Sequence, residues 1–158
     1  MKKKIIFLAK FFGIFFVLEY VIMTCDFSFL QEFIAQTIAV ILNLESTGSI
    51  IFTQKGNFEI VSSCTGLVSG SVLASIVFSL KKPELKKKIE LFLTGFVILL
   101  ILNYFRVLLV VGIGAIFGTM IAEAVHVISW FSTAIIVLFL WYKGTKKVTK
   151  VQDFEGFL

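Results

Sequence analysis

The chain has 158 residues, 58% of them hydrophobic, with a mean hydropathy of +1.00. That exceeds what a water-soluble domain of this length can bury, so the class is membrane protein. The net charge of +5 is concentrated at Lys2 to Lys4 with Lys10, at Lys81 to Lys88 and at Lys143 to Lys150, all at ends of apolar segments. The charge therefore reads as positive-inside topology with attraction to anionic lipid, not as a nucleic-acid groove. No repeat, low-complexity tract or linker divides the sequence, and a single integral membrane domain over 1–158 is expected.

A helix needs about 20 apolar residues to cross a bilayer, and four segments come near that length. The first, Ile5 to Met23, carries Lys10 and Glu19 near its two ends, where their charges reach the interfaces. It has the basic start of a signal peptide but no small-x-small cleavage site, and the rest of the chain is polytopic, so it is read as a retained span. The second runs from Gly66 to Leu80 and reaches full length if its helix begins near Ser62. The third covers Ile89 to about Phe117, and the fourth about Ile121 to Tyr142. With the basic clusters in the cytoplasm, four crossings of the cell membrane put both termini inside and residues 24–63 outside.

That outer segment has two parts. In FSFLQEFIAQTIAVILN, Phe29, Phe33, Ile34, Ile38 and Ile41 recur near helical spacing, as in an amphipathic helix lying in the interface. SIIFTQKGNFEIV alternates around Gln54-Lys55-Gly56-Asn57 and predicts a small hairpin leading into Ser62, Ser63 and Cys64. The expected fold is an all-α polytopic membrane protein, with about four transmembrane helices, an extracytoplasmic amphipathic helix and a small hairpin.

Depth singles out three residues. Cys64 stands about 16 residues from the cytoplasmic end of its helix, or roughly 24 Å. Arg106 and His126 each stand about 17 residues, or roughly 25 Å, from theirs. In a hydrocarbon core about 30 Å thick, all three fall in the outer leaflet. They are the only Arg, the only His and one of two Cys in the chain. Taken singly, each has an ordinary explanation: Arg106 can snorkel to headgroups, His126 can be a hydrogen-bonded packing residue, and Cys64 can be a small apolar side chain or pair with Cys25. Together they have chemistry. A thiol becomes a nucleophile when a neighbouring His or cation favours its thiolate; His then returns a proton to a leaving amine, and Arg stabilises the oxyanion.

Ser63-Cys64-Thr65-Gly66 before one helix, Asn103-Tyr104-Phe105-Arg106 in the next and His126 at the start of the last resemble the exosortase/archaeosortase family. Its pattern is a small residue, Cys, Ser or Thr and Gly, then Asn-x-x-Arg, then His. The resemblance covers roughly residues 45–142. It implies a polytopic membrane cysteine transpeptidase whose partners are proteins bearing a C-terminal sorting signal, namely a short motif, a transmembrane helix and a basic cluster. It also implies a lipid or other surface acceptor. Carried onto this chain, the resemblance makes Cys64 the nucleophile that forms a thioacyl intermediate, Arg106 the stabiliser of thiolate or oxyanion, and His126 the acid/base. Asn103, one turn from Arg106, is expected to orient the guanidinium. Two differences stand out: many members have further helices before the catalytic core, and some archaeal relatives have a second Arg in place of His126.

Glu123, three residues before His126, either accepts a proton from the imidazole or is a solvated carboxylate at a helix start. Gly66, Gly70 and Ala74 form a stripe for close helix packing, and Gly112 and Gly114 are candidates for a bend in the long third segment. Ser69 and Ser71 are expected to make interhelical hydrogen bonds. HExxH, paired CxxC, Walker and dinucleotide motifs are absent, so no cofactor or metal is implied. The rival reading is a small transport or assembly protein with a polar path lined by Arg106 and His126.

Overall fold

The computed structural model describes residues 2–149; Lys150, at the end of the third basic cluster, lies outside them. Helix α1 spans Lys2–Thr24 and α2 spans Ser28–Leu42. Strands β1 (Glu45–Thr47), β2 (Ile50–Thr53) and β3 (Gly56–Glu59) follow, then a 3-10 turn at Ser62–Cys64, α3 (Leu67–Ser79), α4 (Leu85–Phe117) and α5 (Thr119–Thr149). Among the described residues three helices, α1, α4 and α5, are long and apolar enough to cross a membrane.

The second expected span is where the structure departs. Its helix starts at Leu67, not near Ser62, because Gly66 takes a left-handed conformation, φ +88°, and breaks the run. The resulting α3 has 13 residues, about 20 Å, and is buried among the other helices. A small-residue stripe does pack as expected. A Cβ on Gly66 would lie 3.2 Å from the Asn103 side chain, and one on Gly70 would lie 2.4 Å from the Phe96 ring, so α4 approaches α3 closely. Ser71 Oγ donates to Glu19 Oε1 at 2.6 Å, tying α3 to α1.

The basic clusters converge at one end of the bundle. Lys3, Lys10 and Lys81 border one cleft, Lys143 and Lys147 border another beside Leu91, and Lys88 Nζ donates to the Leu80 carbonyl. The opposite end is capped by α2 and an antiparallel sheet of order β1-β2-β3. The hairpin was legible, with Thr53 paired to Gly56; β1 was not, since three residues carry too little alternation to register. Helix α2 also differs in detail. Ile34, Ala35, Ile38 and Ala39 are buried against Ile51, Ile60, Cys64, Val107 and Val111, while Phe29, Phe33 and Ile41 are exposed. Its apolar residues thus divide between a core face and an outer face. Helix α4 runs as one helix through Gly112 and Gly114. A Cβ on Gly114 would meet the Phe58 ring at 2.1 Å, so this glycine makes room for the sheet.

Candidate active site

Ser62-Ser63-Cys64-Thr65-Gly66 lies where the chain turns from sheet to helix, and four of the five residues help to form or anchor the turn. Ser62 Oγ accepts from Gln31 Nε2 at 2.9 Å, which fastens the turn to α2. Cys64 N–H donates to the Val61 carbonyl at 2.8 Å. Thr65 Oγ1 donates to the Ser62 carbonyl at 2.6 Å and closes the turn. Gly66 then supplies the positive φ that lets α3 start in a new direction.

Asn103 reaches this turn from α4. Its Nδ2 donates to the Cys64 carbonyl, so the amide holds the cysteine backbone rather than the guanidinium it was expected to orient. Its Oδ1 is buried without a partner among the described residues. One turn on, Arg106 is 8% exposed, and none of its three guanidinium nitrogens has a hydrogen-bond partner among the described residues. A buried cation with free donors is costly. What faces it is the Trp130 ring, with Cζ 5.0 Å from the centroid, a cation–π contact. Arg106 interacts electrostatically with both Cys64 and His126.

Trp130 was not singled out from the sequence. Its signal was its place four residues after His126, on the same helix face. Its Nε1 donates to His126 Nε2 at 3.0 Å. An indole N–H only donates, so Nε2 is the acceptor and the neutral imidazole carries its proton on Nδ1. One indole thus holds the histidine by its edge and the arginine by its face.

Cys64, His126 and Glu123 border a single cavity of about 330 Å³ between β3, α4 and the start of α5. Glu123 is exposed and makes no hydrogen bond to His126, although the two interact electrostatically. Cys25 is exposed and Cys64 buried, and both are free thiols. Among the described residues no three or more His, Cys, Asp or Glu side chains are grouped so that they could hold a metal ion. The cavity wall offers a thiol and an imidazole, and the Arg106 guanidinium, which does not itself line the cavity, lies within electrostatic reach of both; these are the group types that acyl transfer uses.

Compared with known families, residues 3–142 match the family described as Transmembrane exosortase. The chain belongs to the transmembrane exosortase family. No curated protein and no solved structure matches it. Membership makes this exosortase a membrane protein of the sorting-related transpeptidase class in general. The matched stretch takes in every element of the cavity wall, from the sheet to the first half of α5, as well as α1.

Proposed function

We propose that this exosortase is a membrane-embedded cysteine peptidase and transpeptidase that processes proteins bearing a C-terminal motif, a transmembrane helix and a basic tail. The observation that supports it best is the buried Arg106 guanidinium, free of hydrogen-bond partners and within electrostatic reach of Cys64 and His126. His126 takes the Cys64 proton on Nε2, its one nitrogen with a lone pair, releasing the Trp130 N–H as it does so, and the thiolate attacks the scissile carbonyl carbon, moving the C=O electron pair onto oxygen. Arg106 offers its free N–H groups to that oxyanion. The intermediate collapses, the C–N bond breaks, and the leaving amine receives the proton from His126. Cys64 is left as a thioester. An amine or hydroxyl of a lipid or other surface acceptor, or water, then attacks, gives its proton to His126 and expels the thiolate.

The basic end of the bundle faces the cytoplasm in this reading, with both termini inside. The buried α3 completes a fourth crossing, and the cavity opens on the extracytoplasmic side. The deciding experiment co-expresses the chain with a candidate substrate carrying motif, helix and basic tail, and follows substrate size by immunoblot. Processing by the unaltered protein and none by Cys64→Ala is the expected result. Processing that persists in Cys64→Ala rules out the nucleophile, and a Cys64→Ala protein indistinguishable from the parent in every assay favours the transport reading instead.

A further inference from the structure

We infer that the free edge of β3 is a docking rail for an extended peptide segment, which it pairs with as an added strand and delivers to Cys64; this rests on the reading of Cys64 as the acylated residue. The Ile60 N–H donates to the Ser49 carbonyl at 2.8 Å, and the register pairs Ile51 with Phe58 and Thr53 with Gly56. Antiparallel strands alternate hydrogen-bonded and non-hydrogen-bonded pairs, so Phe58 and Gly56 bond to β2. Asn57 and Glu59, opposite Phe52 and Ile50, therefore turn their N–H and C=O groups away from β2. The sheet order makes β3 an edge, and neither residue's outward backbone groups find a partner among the described residues. Both residues are exposed and border the cavity that holds Cys64.

Edge strands are ordinarily blunted by charged side chains, Pro, a bulge or a covering element; Gly56-Asn57-Phe58-Glu59 has no Pro, Lys or bulge, and its one charge, Glu59, is at the end of the strand. The rail is also held in place. Lys55 Nζ donates to the Ile116 carbonyl, a Cβ on Gly56 would sit 2.6 Å from Thr119, and Phe58 packs on Gly114. A fixed row of alternating donors and acceptors, on the wall of the cavity that Cys64 also lines, is complementary to one ligand chemistry above others: an extended polypeptide backbone.

Mixed-disulfide tethering tests this without turnover or a known substrate. The full chain with Cys25→Ser reacts with acetyl-Ala-Ala-Ala-Cys(S-2-thiopyridyl)-amide: the Cys64 thiolate attacks the peptide sulfur, a new disulfide forms and 2-thiopyridone leaves. The same peptide N-methylated at successive single residues should tether about fivefold or more slowly at every second position, since only alternate amides face β3. Glu59→Pro removes one outward N–H and no ladder bond and should erase the alternation, whereas Glu59→Ala keeps it. Methyl methanethiosulfonate, too small to use the rail, should label all variants alike. Loss without alternation, an unaffected Glu59→Pro, or a Cys64 that the small reagent cannot label would each overturn the inference. Processing by Cys64→Ala would instead sink the enzymatic reading and leave the alternation intact.

Discussion

Helix α1 has 23 residues and none of them is buried; α3 has 13, and Ser69, Gly70, Ser71, Leu73, Ala74, Ser75, Ile76, Val77 and Ser79 all are. The two helices touch, joined by the Glu19–Ser71 hydrogen bond, yet their sequences answer to different surroundings. In α1, Phe16 and Val17 are exposed by more than half, as befits side chains that meet lipid. In α3, hydroxyls bond back along the helix, Ser75 Oγ to the Ser71 carbonyl at 2.6 Å, and glycines admit neighbours. Small and hydroxyl-bearing residues mark a helix that meets protein inside a membrane; bulk and apolarity mark one that meets lipid. Cys64 stands in the 3-10 turn that leads into the helix of the first kind, and is itself buried.

The largest separation of the two helices should come from activity. Cys64→Ala at the mouth of α3 is expected to abolish substrate processing, while Phe16→Ala on α1 should leave it within about twofold, both read by the same immunoblot. Next comes the pair of glycines. Gly66→Ala forces an L side chain into φ +88° and against Asn103, and should cost about 1–3 kcal/mol, seen as a lower melting temperature in detergent. Gly13→Ala meets nothing within 4 Å and should be neutral or stabilising, by up to about 1 kcal/mol. If both glycines respond alike, the contrast between packed and lipid-facing helix is wrong.

A smaller effect is expected at Trp130. Trp130→Phe keeps a ring for Arg106 and deletes the N–H to His126, a bond worth about 1 kcal/mol, so kcat should fall about five- to tenfold with KM unchanged. Trp130→Ala, which also removes the cation–π contact, should fall further; equal losses in the two variants would mean that the indole N–H carries the whole effect. Smallest of all, Ser71→Ala removes the tether between α3 and α1 and should lower stability by about 1 kcal/mol, with processing retained at permissive temperature.

Much of the candidate site was legible because its residues are chemically rare in this chain. A lone Arg, a lone His and a Cys set between small residues stand out against an apolar background, and helical rise alone puts them at one depth. Their facing relations were not legible. The expectation that Asn103 orients Arg106 rested on their spacing within one helix; the actual partner of its amide lies 39 residues away, at the Cys64 carbonyl. Trp130 passed as one more aromatic in an apolar run, since nothing along α5 tells which helix its ring will meet. The start of α3 was misplaced because Gly66 fits a helix-packing stripe and a left-handed turn equally well, and only the folded backbone, with Gly66 against Asn103 and Leu100, shows which.

By itself, then, the sequence determined the membrane class, the positions of the long apolar helices, the α2 helix and hairpin, and the candidate site residues Cys64, Arg106 and His126. These depend on hydropathy, periodicity and residue chemistry, which are sums over neighbours along the chain. The tertiary structure alone decided where α3 begins, which face of α2 is buried, that β3 presents an unpaired edge to the cavity, and that one indole joins His126 to Arg106. Those features are contacts between residues far apart in sequence, and their energies depend on which surfaces meet when the helices and the cap pack together.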